Sequence, residues 1–441
     1  MKPILAACGT TLLVVLAPIS RATVHAQTAG LTLDEAIARG LANSQRIAEL
    51  EARRDSASAA EQGAAAAKLP TIAAVGGYMR TNHVDEFSIV QPFQVHVIYP
   101  DVPDNYRARL DLQWPIYTGG RADALERAAR AEREATGEDL AAARGDLRME
   151  ITRAFWALVT ARESERVVAR ALETIGAHVR DLRSRLDQGL IPPNELLSAE
   201  AQQSRQRLLS IEATNSRSIA EADLRRLLGA DATERLEPAA SLGTVPSTPP
   251  EAGQLVAQAR LQRAERRALE DHEASARARI DAAAGSAKPQ IAVGGGYDYA
   301  RPNPRIFPRV DEWHDSWDVS VNVTWSLWDG GRVSADRAQA AASARAASAR
   351  IADFDREMTF EVEQRRLEVD SSRAAIVTAD DGVRAATEAH RVVVERFRVG
   401  VATNTEVLDA ETALLQAELD RTRALANARL AEARLERALG K

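Results

Sequence analysis

The chain has 441 residues, of which 45% are apolar and only 4% aromatic, and 63 acidic side chains against 57 basic ones give a formal net charge of −6. A mildly acidic chain without a basic block is excluded as a nucleic-acid binder, because phosphate affinity rests on clustered Lys and Arg. The single cysteine, Cys8, excludes a disulfide scaffold, a thiol redox pair and a cysteine-based zinc site, and the surplus of Ala, Glu, Arg and Leu is that of long packed helices.

Residues 1–26 read as a secretory signal peptide. Lys2 supplies the positive end, Ile4 to Ile19 the apolar stretch, and Val24-His25-Ala26 a cleavage site before Gln27. Leu5-Ala6-Ala7-Cys8 also spells a lipoprotein box, but most of the apolar run follows it instead of preceding it. Beyond Gln27 no apolar stretch approaches the roughly 20 residues that a transmembrane helix needs.

The remainder is an internal duplication. Trp114-Pro115-Ile116-Tyr117-Thr118-Gly119-Gly120-Arg121 is echoed 211 residues later by Trp325-Ser326-Leu327-Trp328-Asp329-Gly330-Gly331-Arg332. Gly189 with Asn194-Glu195-Leu196-Leu197 is echoed at the same offset by Gly400 with Thr405-Glu406-Val407-Leu408. Such periods are sought first, because missing one misassigns everything downstream. The first repeat is expected over 27–237: a helix, strands at about 70–80 and 106–117, a long helix 121–186 and a helix 192–228. A Pro- and Ser-rich linker, 238–250, follows. The second repeat, 251–441, carries a helix, strands at about 289–300 and 317–328, a long helix 332–398 and a helix 403–439.

The strands alternate strictly. Trp317, Val319, Val321, Val323, Trp325 and Leu327 share one face, and Asp318, Ser320, Asn322, Thr324 and Ser326 the other. Tyr106–Tyr117 repeats the pattern, at a length that suits a tilted transmembrane β-strand. A sheet packed on a soluble core alternates identically. Aromatic placement separates the two: five of six Trp and all six Tyr fall within 70–120 or 289–330, and these rings favour membrane interfaces. Trp114, Tyr117, Trp317, Trp325 and Trp328 are the expected interface aromatics. Four strands cannot close a barrel, so the chain must oligomerise, a dimer giving eight strands and a trimer twelve. Thr81–Asn105 and Arg301–Ser316 are the expected outward loops.

Residues 121–186 run without proline for roughly 100 Å at 1.5 Å per residue. Val168, Leu172, Ile175, Val179, Leu182 and Leu186 follow coiled-coil spacing. No catalytic residue emerges. Gly294-Gly295-Gly296 lies inside a strand and lacks the following Lys-Ser/Thr of a phosphate loop, the seven histidines show no metal-ligand spacing, and no cofactor is expected. A secreted coiled-coil scaffold or adhesin stalk is the alternative to a membrane duct.

The duplicated plan, the Gly-Gly-Arg strand-to-helix junction and the Gly-x4-Asn/Thr-Glu turn resemble the outer membrane efflux protein family, the TolC-like outer membrane factors. The resemblance covers 31–441. It implies a homotrimer with a twelve-stranded β-barrel in the outer membrane and an α-helical barrel spanning the periplasm, the linker contributing to an equatorial belt. It also implies a passive exit duct of a tripartite efflux or type I secretion system, docked to a periplasmic adaptor and an inner-membrane pump that largely selects the cargo. The family's acidic gate ring maps to Glu406 and Asp409, three residues apart and so on one helix face; Glu406 alone is equally a helix N-terminal acid facing the macrodipole. Departures fall at the locks. Phe397 and Glu195 stand where the family pairs a tyrosine with an Asp, and Ala402 stands where an arginine would serve Asn194. Arg396 or Arg398 is a candidate donor to Glu195, and a looser resting gate is expected. The tips that would meet the adaptor are Gly189, Leu190, Gly400 and Val401.

Overall fold

The computed structural model describes residues 30–243 and 247–441; the expected signal peptide, with Cys8, lies outside the described residues. The chain begins with α1 (Leu33–Asn43) and α2 (Gln45–Ala66). Thr32 Oγ1 accepts from the Glu35 amide at 3.3 Å while Glu35 accepts from the Thr32 amide at 2.9 Å, a reciprocal cap that fixes the start of α1. Where the sequence suggested one helix there are two, because Ser44 turns extended and its hydroxyl caps α2 at Ile47.

The first repeat continues with β1 (Thr71–Arg80), β2 (Phe87–Gln91), β3 (Gln94–Tyr99), β4 (Asp104–Tyr117), α3 (Arg121–Asp187) and α4 (Pro193–Leu228). The expected loop 81–105 therefore contains a hairpin of its own, β2 paired antiparallel with β3. The second repeat has α5 (Ala252–Gln262), α6 (Ala264–Gly285), β5 (Gln290–Arg301), β6 (His314–Thr324), α7 (Arg332–Arg398) and α8 (Asn404–Ala438).

The main sheet runs β1-β4-β5-β6, every neighbour antiparallel, with Tyr78 opposite Tyr106, Arg109 opposite Asp298 and Gly296 opposite Asp318. The two repeats are joined at the β4–β5 seam, which leaves β1 and β6 as open edges. All four helix-to-strand and strand-to-helix junctions lie at one end of the sheet, so the long helices hang from it and the loops crown the other end. Strand β6 stops at Thr324, four residues short of the expected end at Trp328. Asp329 accepts from the Gly331 and Val333 amides at 3.0 and 2.8 Å, which starts α7, and the Trp325 indole donates to the Ala287 carbonyl at 3.1 Å, drawing the chain off the ladder. At the matching β4–α3 junction Gly119 has φ +68°, and a Cβ there would lie 2.4 Å from the Gly285 carbonyl oxygen. Only glycine lets the two repeats approach so closely.

Helices α3 and α7 each have 67 residues, about 100 Å of rise apiece. The main core lies halfway along α3, where Ile151, Phe155 and Leu158 pack with Leu224 and Leu228 of α4 and with Ala36 and Ile37 of α1. Beside it Arg437 bridges Asp146 and Glu265, both at 2.6 Å, and Arg263 joins Glu265 to Glu361. Burial alone would raise the Glu265 carboxyl, but hydrogen bonds from Arg263 and Arg437 outweigh it and hold the group at about 2. This partly buried network ties α3, α6, α7 and α8 together below the sheet.

Candidate functional site

Three stretches carry functional side chains: the two faces of the sheet, and the far ends of the helices. On one face of the sheet Trp317, Val319, Val321 and Val323 are all more than 60% exposed. Trp114, Leu110, Leu112 and Ile116 continue that apolar face on β4. At the crown, Tyr78, Tyr106, Trp313 and Tyr299 form an aromatic series, with Tyr299 stacked on Trp313 at 4.9 Å. Tyr117 sits at the last residue of β4. Trp325 and Trp328, placed in the strand by sequence, lie instead in the turn below it; Trp328 is 88% exposed.

The opposite face is polar and laced with ion pairs. Arg107 Nε donates to Asp298 at 2.5 Å, Arg109 Nε to Asp111 at 2.6 Å, and Arg109 also reaches Asp298 and Asp318. Asp298 is 5% exposed. A Cβ on Gly296 would meet the Arg109 guanidinium at 2.1 Å, so this glycine of the Gly-Gly-Gly run clears the surface on which the arginine lies. The run has a steric purpose here.

At the far end α3 turns into α4 and α7 into α8. Both turns close in the same way. Gly189 and Gly400 have φ of +73° and +75°, and the amides after them, Leu190 and Val401, donate to the Arg185 and Arg396 carbonyls at 2.9 and 2.8 Å. This is the Schellman closure, for which glycine supplies the left-handed residue. Leu190 and Val401 are 68% and 64% exposed, so each turn presents an apolar point.

Glu406 and Asp409 both face solvent on α8. Thr403 caps α8, its hydroxyl accepting from the Glu406 amide at 3.3 Å. Asn194 lies exposed in the first turn of α4, and Ala402 half-buried in the α7–α8 turn. Phe397 packs against the cluster of Val179, Leu182, Leu196 and Ala199, with the Arg185 guanidinium 5.0 Å from its ring centroid and the His178 ring edge-on at 5.5 Å. The position is thus an apolar and cation–π contact between the hairpins in place of a hydroxyl bond. Arg398 does not reach Glu195; it pairs with Glu395 at 2.9 Å on its own helix, the shorter reach winning.

Sequence reasoning missed two residues here. His178 Nε2 lies 2.7 Å from Asn404 Oδ1, and Asn404 Nδ2 donates to the Glu195 carbonyl at 3.0 Å. Asn404 is 4% exposed. A polar residue opening a helix reads as a cap, and nothing in its sequence neighbourhood marks it as buried. Higher up α8, Glu411 is 7% exposed with Oε2 unpartnered, and burial pushes its carboxyl up to about 7. Among the described residues no three His, Cys, Asp or Glu side chains gather as metal ligands, and no helix is long and apolar enough to cross a membrane.

The family model described as outer membrane efflux protein matches residues 36–230 and 255–441. The outer membrane protein TolC of Vibrio cholerae is 22% identical over 399 residues, 90% of this chain and 88% of its own. Among solved structures, the outer membrane protein VceC of Vibrio cholerae superposes with a TM-score of 0.77 at 20% identity, covering 92% of this chain and 96% of its own. The open state of the MtrE outer membrane channel of Neisseria gonorrhoeae has the same TM-score and identity, over 92% and 88%.

Proposed function

Because the chain belongs to the outer membrane efflux protein family, an exit duct of the Gram-negative outer membrane that spans the periplasm, we propose that three copies close into one tube, gated at the tip by Glu406 and Asp409. The observation that carries the assembly is the four-stranded sheet with both edges open. In hydrocarbon every backbone amide needs a partner, so β6 of one copy must pair with β1 of the next, and three copies give twelve strands. The apolar face then meets lipid and the Arg109–Asp298 face lines the lumen.

The helices support the same count. Leu197, Leu208 and Ile219 recur every 11 residues on α4 and are each more than half exposed in one copy, a stripe that demands a neighbouring helix. A secreted stalk would explain the helices but leaves Trp317, Val319, Val321 and Val323 without a solvent to face.

At the tip, three-fold symmetry sets three Glu406 and three Asp409 carboxylates around one opening, which favours cations and resists anions. The exposed points at Leu190 and Val401 are the docking sites for a periplasmic adaptor, itself bound to an inner-membrane pump. No residue of the chain is assigned a catalytic role and no cofactor is required. Reconstituted in planar bilayers, the protein should form cation-selective channels, and Glu406→Gln with Asp409→Asn should lower the cation-to-anion permeability ratio. Detergent-solubilised protein running as a heat-stable species of three copies checks the assembly; a stable monomer without channel activity would sink the reading.

A further inference from the structure

The tip holds a buried polar group that the acidic ring does not account for. Asn404 opens α8, yet the cap of that helix is Thr403. Its carboxamide is turned to the other hairpin and uses both ends, Oδ1 toward His178 Nε2 of α3 and Nδ2 toward the Glu195 carbonyl of α4. One side chain thus ties α8 to both α3 and α4. The duplication supplies an internal comparison: 211 residues earlier stands Pro193, which has no side-chain donor. The tie occurs once per protomer, and only from the hairpin that bears the acids. While the hairpins touch, both ends of the Asn404 carboxamide are bonded; parting them exchanges those two bonds for bonds to water.

We propose that Asn404 and His178 are the positioning residues of the gate, holding the α7–α8 hairpin, and with it Glu406 and Asp409, against α3–α4. The inference rests on reading those acids as the gate. It replaces the expected loose closure with a firm one, made without the tyrosine and arginine of the family pattern. It also differs in kind from an arginine–carboxylate lock. Its acceptors are an amide and a backbone carbonyl, so neither salt screening nor carboxylate protonation removes the attraction.

The test is resting conductance of purified trimers in planar bilayers, with trimer stability on gels measured in parallel. His178→Ala, which removes one bond, should raise the open-to-closed ratio about fivefold and Asn404→Ala, which removes both, about thirtyfold, at ~1 kcal/mol net per bond. His178→Gln, which keeps an amide donor near the position of the ring N–H, should restore closure. Wild-type conductance from both alanine variants with intact trimers would overturn the tie, as would His178→Gln behaving like His178→Ala. Neutralising Glu406 and Asp409 in the Asn404→Ala background separates the two readings. Cation selectivity decides the acidic ring, a fall supporting it and no change overturning it, while the rise in conductance on Asn404→Ala decides the tie.

Discussion

Single residues in this chain are poised more by burial than by motif. Glu411 is the clearest case, a carboxyl buried on α8 with an unpartnered oxygen and pushed up to about 7. Its folded value lies above the ordinary 4.5, so the fold binds its proton more tightly than the unfolded chain does. Stability therefore declines as pH rises from 4.5 to 7, and the full penalty stands above 7. Glu411→Gln should raise the melting temperature at pH 8, by an amount corresponding to ~3 kcal/mol at most, and change little at pH 4.5; equal effects at both values would refute it. Glu265 is its opposite, held at about 2 by Arg263 and Arg437. Its contribution is complete above 4.5 and is lost as pH falls from there toward 2, so Glu265→Gln should destabilise at pH 7 and much less at pH 2.5, measured by thermal melts. The sequence disclosed neither role. Nothing around Glu411 in the sequence marks it as buried, and of the two partners of Glu265, Arg263 stands two residues away but Arg437 comes from a helix 172 residues on.

The elements themselves were far more legible. Alternation of Val with Ser, Asp and Asn in β6, and proline-free runs in α3 and α7, are local patterns that burial on one side writes directly into the chain. The departures have local causes too: the Asp329 carboxylate that ends β6 early, and the Ser44 cap that splits the first helix. Hairpin β2–β3 was missed because its strands are short and exposed on both faces, which leaves no alternation to read. The sheet makes a prediction of its own. Val321→Arg, on the lipid side, should cost ~2–4 kcal/mol if it lies near the bilayer midplane; Ser320→Arg, one residue away but facing the lumen, should assemble normally and shift ion selectivity. Heat-modifiable gels and bilayer recordings distinguish the two, and equal damage from both would refute the assigned faces. At the turns, Leu190→Glu with Val401→Glu should abolish pump-dependent efflux while leaving trimers intact; undiminished efflux would remove the adaptor from those tips.

For the whole molecule, two architectures are averaged in one composition: a little aromatic sheet and a great deal of alanine-rich helix. The averaged values hid the sheet until the rings were located along the chain. Their joining through the β4–β5 seam places both repeats in one wall, and the stripe of Leu197, Leu208 and Ile219 commits that wall to neighbours. Ile219→Asp, outside the buried core of the protomer, should weaken the assembly by more than the ~1–3 kcal/mol that desolvating a neutral polar group costs, read as dissociation at lower temperature on gels; an unaltered transition would exclude α4 from the contact. The open edges of β1 and β6 carry one consequence beyond the finished channel. A lone protomer brings two rows of unsatisfied amides and carbonyls to the bilayer and has no low-energy way in. Insertion and assembly must then be a single event, so the rate of channel appearance in liposomes should rise steeply, toward the cube of protomer concentration, and unassembled chains should wait in the periplasm as clients of holding chaperones.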